Sequence, residues 1–240
     1  MTATTKAVLF DFGGTLDADG VHWLDRFLSI YAQEGLRVDR EAFARAFYDA
    51  DDNLPARFAL DGLDLEQTIR LQAGCVVENL AAAAPGAAGP GLAERVVRRF
   101  VDSARAHLRR NRPLLERLRR SFRLGIVSNF YGNLDSILAA EGLADLFGAV
   151  ADSERVGAMK PDAKIFLHAT RGLGVEPAES LMVGDSVPRD MKGAEGLGMP
   201  HAWVAGGRDA SETCCAAAPV LRTLSDLEPL LFGSGRRVDA

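Results

Sequence analysis

Apolar residues recur along this chain in two rhythms. Short continuous runs, each stopping at a polar or glycine residue, occupy Ala7–Phe12, Leu124–Asn129, Leu181–Asp185 and His201–Ala205, with a weaker one at Gly148–Ala151. Unbroken runs of this kind suit strands buried on both faces. Between the later runs, Leu134–Glu141, Ala163–Arg171 and Arg189–Leu197 carry helical spacing. Strand, helix, strand at such intervals predicts right-handed βαβ units and a parallel sheet. Between residues 18 and 110 the rhythm is helical throughout: Trp23-Leu24, Phe27-Leu28 and Tyr31 share one face, and so do Phe43, Ala46 and Phe47. Leu71 with Cys75, and Val96-Val97 with Phe100-Val101, continue it.

An α-helical module therefore interrupts an α/β core just after its first strand. The junctions fall near Asp17–Val21 and Leu108–Pro113, which assigns residues 1–17 and 111–240 to the core and 18–110 to the insertion. Within the insertion, Ala81–Gly91 carries two prolines and three glycines and reads as a connector.

Composition narrows the function classes. The 240 residues are 48% hydrophobic and 25% charged, an ordinary soluble globular balance, and the length exceeds one minimal core. Net charge is −5, and the only dense basic spots, Arg109-Arg110-Asn111-Arg112 and Arg119-Arg120, lie in helix-like stretches as solvated faces. No nucleic-acid partner is expected. Three cysteines, two of them adjacent at Cys214-Cys215, support neither a zinc site nor a redox pair, so a reduced, cytoplasmic setting is expected. The first six residues hold no apolar signal core, and Ala81–Gly91 is too short and interrupted to span a bilayer, so no membrane role is expected.

Four short motifs lie at the predicted carboxyl ends of strands or in loops beside them. They are Asp11-Phe12-Gly13-Gly14-Thr15, Val127-Ser128-Asn129, Met159-Lys160-Pro161-Asp162 and Gly184-Asp185-Ser186-Val187-Pro188-Arg189-Asp190. Parallel strands gather their carboxyl ends, so these residues should share one crevice. Singly, each has an ordinary structural role: a strand-end Asp caps a helix, Ser-Asn makes a turn, a lysine before proline is solvated. Together they make a phosphoryl site. Several carboxylates without histidine or cysteine ligands favour a hard cation such as Mg2+. Ser128 can donate to an anionic oxygen, Lys160 adds a positive charge, and Asp11 is free to attack phosphorus.

In order and spacing these motifs resemble the haloacid dehalogenase-like hydrolases, across nearly the whole chain. The resemblance implies a Rossmann-like parallel sheet with an α-helical cap inserted after the first strand. It makes Asp11 the nucleophile, with Lys160 and Ser128 binding the phosphoryl group. Asp11 and Asp185 would hold Mg2+, joined by the Gly13 carbonyl and supported by Asp190. Thr15 would hydrogen-bond within the first loop, and Thr15 and Asn129 are expected among the substrate-binding residues. The substrate would be a small phosphorylated metabolite, hydrolysed through an aspartyl-phosphate.

The chain departs from that pattern at Gly13, where phosphatases carry a second aspartate as general acid and base. Losing such a group costs about a hundred- to ten-thousand-fold in rate, most where the leaving group must be protonated. Asp17, Asp19 and His22 are the nearest replacements. The alternatives are a weakened relative that binds or regulates, and a metal-independent 2-haloacid dehalogenase. Trp23, Arg26, Asn53 and Arg57 are the positions of the helical module from which a side chain could face the substrate, and Phe130-Tyr131 could line the mouth.

Overall fold

A computed structural model describes residues 5–83, 89–209 and 218–233. Cys214-Cys215, residues 84–88 of the connector and the tail beyond 233 lie outside the described residues. One six-stranded sheet has the order β3-β2-β1-β4-β5-β6, and every neighbouring pair is parallel. The strands are β1 (Ala7–Phe10), β2 (Arg123–Ser128), β3 (Ala149–Asp152), β4 (Ser180–Gly184), β5 (His201–Val204) and β6 (Val220–Leu221). The first five match the apolar runs. The sixth was not expected, because two residues carry no periodicity to read.

The helices are α1 (Trp23–Gln33), α2 (Arg40–Arg57), α3 (Leu65–Ala83), α4 (Leu92–Arg119), α5 (Leu134–Ala140), α6 (Ser153–Val156), α7 (Ala163–Leu173), α8 (Lys192–Gly196) and α9 (Leu227–Phe232). Alternation along β1 sends Val8 and Phe10 to one face and Ala7 and Leu9 to the other. Ala7 and Leu9 pack with Ile165, Phe166 and Ala169 of α7. Val8 and Phe10 belong to a continuous core that runs into the insertion through Phe27, Phe43 and Phe100.

The four helices α1 to α4 all lie between β1 and β2 in the chain. Asp39 starts α2 by accepting from the Ala42 N–H at 2.8 Å. The junction expected near Leu108–Pro113 falls within α4, which runs unbroken across it. Pro113 removes one helical hydrogen bond. The stripe Leu108, Leu114, Leu115 and Leu118 stays buried through that point and carries the helix on to β2. Insertion and sheet thus share one helix. Among the described residues, no helix is long and apolar enough to cross a membrane.

Topology fixes where chemistry can occur. After the insertion the chain builds β2 and β3 on one side of β1, then crosses to β4 on the other. Such a reversal opens a crevice at the strand carboxyl ends. Phe10 lies level with Ile126 and Val183, so Asp11, Ser128 and Asp185 all emerge at this edge.

Candidate active site

The β1 edge brings the predicted residues into direct contact. Ser128 Oγ donates to Asp11 Oδ1 at 2.8 Å, and the Phe12 N–H donates to the same oxygen at 2.7 Å. Lys160 Nζ lies 2.8 Å from Asp11 Oδ1 and 2.6 Å from Asp190 Oδ1. Burial works against the lysine charge, and Asp11 and Asp190 outweigh it, holding the ammonium above its ordinary pKa. Asn129 brackets the Lys160 backbone, accepting from its N–H at 2.7 Å and donating to its carbonyl at 3.2 Å. Asn129 lines the cavity, and its amide fixes the backbone of Lys160.

Thr15 behaves differently from the expectation. It is fully buried and donates to Asp185 Oδ1 at 3.1 Å, across to the fourth motif rather than within its own loop. It stands behind the Asp185 carboxylate and is not among the residues lining the cavity described below. Two glycines make room for that carboxylate layer. Gly14 has φ +87°, and a Cβ there would stand 2.7 Å from both Asp185 oxygens. A Cβ on Gly184 would run into the Asp190 carboxyl, whose Oδ2 accepts from the Ser186 N–H at 2.9 Å.

Asp11, Asp185 and Asp190 each offer one oxygen, all within 4.8 Å of one another. Asp185 Oδ2 and Asp190 Oδ1 are buried without a well-formed hydrogen bond. Arg208 lies 3.8 Å from Asp185 Oδ2 and Lys160 2.6 Å from Asp190 Oδ1, both at ion-pair distance, and His22 Nδ1 stands 2.5 Å from Asp185 Oδ2. Three buried carboxylates against one buried ammonium and the partly exposed Arg208 guanidinium leave excess negative charge. Burial pushes the Asp190 carboxyl up, and Asp11 and Asp185 reinforce the shift against the pull of Lys160. A hard divalent cation would relieve this crowding, and an all-oxygen set would suit Mg2+. Gly13, whose carbonyl is the expected fourth donor, lines the same cavity.

The space an acid at position 13 would need is taken. A Cβ there would meet Trp23 Nε1 at 3.0 Å and Cε2 at 3.1 Å. The indole donates to Asp17 Oδ2 at 2.9 Å and packs edge-on against Phe27, Phe100 and Phe130. Two of the three replacements named from sequence are committed elsewhere. Asp17 is fully buried, accepting from the Gly14 N–H at 2.7 Å and from Arg26 at 2.8 Å. Asp19 is buried against Arg110 and Asn111. His22 lines the cavity, with Nδ1 on Asp185 and Nε2 2.6 Å from Arg208.

Of the helical-module candidates, Trp23 lines the cavity. Arg26 is buried on Asp17 and Phe100, Asn53 donates to the Asp49 carbonyl, and Arg57 pairs with Glu78. Long polar side chains on these helices tie the insertion together.

The cavity encloses about 290 Å³, with Asp11, Ser128, Lys160 and Asp185 at the strand-end floor and Trp23, Phe47, Tyr48 and Asp51 from α1 and α2 above. Phe130 and Tyr131 line it too, as expected. Asp51 was missed. It accepts a hydrogen bond from the Tyr131 hydroxyl, and burial pushes its carboxyl up to about 6. A signal was present: Asp51 falls one turn after Phe47 and just before Leu54, an acid inside the apolar stripe of α2.

Comparison with known proteins agrees with this geometry. Residues 5–198 match the haloacid dehalogenase-like hydrolase family. The haloacid dehalogenase-like hydrolase domain-containing protein 3 of Bos taurus is 33% identical over 216 residues, 82% of this chain and 80% of that protein. A HAD phosphatase from Thermococcus onnurineus is similar in structure, with TM-score 0.53 and 28% identity over 95% of this chain and 99% of its own. A 2-haloacid dehalogenase from Pseudomonas syringae pv. Tomato DC3000 has TM-score 0.54 over 95% and 98%, and at 22% identity that likeness concerns the fold alone. The chain belongs to the haloacid dehalogenase-like hydrolases.

Proposed function

We propose that the protein is a Mg2+-dependent phosphatase of a small phosphorylated metabolite, working through an aspartyl-phosphate on Asp11. The observation that carries this reading is the buried trio Asp11, Asp185 and Asp190 within 4.8 Å, with Ser128 and Lys160 both on Asp11. A dehalogenase attacks carbon and has no use for a metal-holding pair of acids beside its nucleophile. Relatives named as phosphatases, such as the phosphoserine phosphatase of Thermus thermophilus at 38% identity over 92 residues, support phosphorus as the target.

Lys160 and Ser128 bind and orient the phosphoryl oxygens, and Asn129 keeps the lysine aimed. Asp11 presents a carboxylate oxygen in line with the leaving group. Asp11, Asp185, Asp190 and the Gly13 carbonyl would hold Mg2+, which when bound would supply positive charge for the phosphoryl oxygens. Helices α1 and α2 form a cap over the cavity that limits water and substrate size. The test is turnover of an aryl phosphate and of acetyl phosphate with and without Mg2+, beside halide release from a 2-haloacid. Mg2+-dependent phosphate release abolished by Asp11→Asn supports the reading; halide release without metal contradicts it.

A further inference from the structure

An aspartyl-phosphate mechanism needs a proton twice: one given to the departing oxygen, one taken from the attacking water. Position 13 cannot supply it, because Gly13 has no side chain and Trp23 fills the adjoining space. We propose that Asp51 of α2, oriented by the Tyr131 hydroxyl, is the acid and base that serves the leaving group in place of the side chain Gly13 lacks. This rests on the phosphatase reading and deepens it by assigning the missing role.

Position is the first argument. In phosphoryl transfer the attacking and leaving oxygens are roughly in line. Asp11 attacks from the floor, so the leaving oxygen faces the helices above, where Asp51 lines the same cavity. Availability is the second. Four carboxylates line the cavity: Asp11, Asp25, Asp51 and Asp185. Asp11 and Asp185 belong to the floor, and Asp25 pairs with Arg40 at the exposed rim. Asp51 forms no ion pair among the described residues; the charges facing it are Asp52 of its own helix and Arg189 from the loop after β4. His22 is held between Asp185 and Arg208.

Orientation is the third. Tyr131 stands in the loop that follows Ser128 at the end of β2, so one continuous segment presents the anion-binding hydroxyl and the donor that aims Asp51. Burial, then Asp51 itself, pushes the phenol well above its ordinary pKa, so Tyr131 keeps its proton and acts only as a donor. Asp51, with its carboxyl near 6, can hold or release a proton around neutrality.

The proton balance closes. As Asp11 Oδ bonds to phosphorus and the P–O bond to the leaving group breaks, protonated Asp51 gives its proton to the departing oxygen. The resulting carboxylate then takes a proton from water as the water oxygen attacks phosphorus and the P–Oδ bond breaks. Phosphate leaves, and Asp51 is protonated again.

The experiment compares kcat for p-nitrophenyl phosphate and phenyl phosphate, whose leaving groups differ in their need for a proton, in wild type, Asp51→Asn and Tyr131→Phe. Wild type is expected to turn over both. Asp51→Asn should lose about a hundred-fold or more with phenyl phosphate and far less with the nitrophenyl ester. Tyr131 stabilises the Asp51 carboxylate, so Tyr131→Phe should move the alkaline limb of the phenyl phosphate kcat profile to higher pH. Equal losses on both esters, or a change confined to KM, would overturn the proposal and make Asp51 a substrate-binding group. Wild-type turnover of the nitrophenyl ester alone would overturn it while leaving the phosphatase reading intact. No turnover of either ester would bring down both.

Discussion

Asp17 of the first loop and Asp51 of α2 are both acids whose pKa is raised by burial. Their surroundings differ. Asp17 is ringed by the Gly14 N–H, the Trp23 indole and Arg26, and it joins the first loop to α1. Arg26 in turn reaches the Phe100 carbonyl of α4 and lies over that ring at 3.9 Å. Asp51 has one hydroxyl donor and a cavity in front of it. Burial alone therefore does not mark a reactive acid: a carboxylate saturated with donors is an anchor, and one left with spare lone pairs facing a cavity is available for proton transfer.

The strongest way to break this comparison is at the anchor. Asp17→Ala leaves the buried Arg26 charge unpaired and the Trp23 indole without its acceptor, at a cost of about 3–5 kcal/mol. Thermal or urea unfolding checks it, and a loss under ~1 kcal/mol would show that Asp17 is no anchor. Thr15→Val acts next, by releasing Asp185. It should weaken Mg2+ binding by about 10–100-fold in calorimetric titration while leaving the fold intact.

Asp51→Asn should act in the opposite sense on stability. The folded pKa near 6 exceeds the ordinary 3.8, so ionisation opposes folding. The contribution is full below pH 4 and lost as pH rises through 6. The variant should therefore be more stable than wild type at pH 8 by up to about 3 kcal/mol, and not at pH 4. Equal shifts at both pH values would remove the burial argument. The smallest effect belongs to the rim: Asp25→Asn opens an exposed pair with Arg40 and should change stability by less than ~1 kcal/mol.

What the sequence made legible follows from how far each signal reaches along the chain. Strand runs ending in Asp11, Ser128 and Asp185 are local patterns, and parallel topology then forces their ends together. The Asp11, Ser128 and Lys160 contacts follow from that topology. Asp51 lies in an exposed-looking acidic run, Asp49 to Asp52, and only the packing of α2 over the strand ends brings it beside Tyr131. Trp23 was legible as an apolar-face residue with Phe27, but its contact with Gly13 is set by the angle at which α1 leaves the first loop. Thr15 looked like a loop residue because its partner, Asp185, lies 170 positions away. The junction expected near Leu108–Pro113 lies inside α4, where the buried leucine stripe continues past Pro113.

The most direct test of the central claim is to quench the enzyme during turnover of acetyl phosphate with Mg2+ and weigh the peptide containing Asp11. The account predicts a mass gain of one phosphoryl group on Asp11, absent without Mg2+ and absent in Asp11→Asn. Turnover with that peptide unmodified at every quench time, and undiminished in Asp11→Asn, would contradict it.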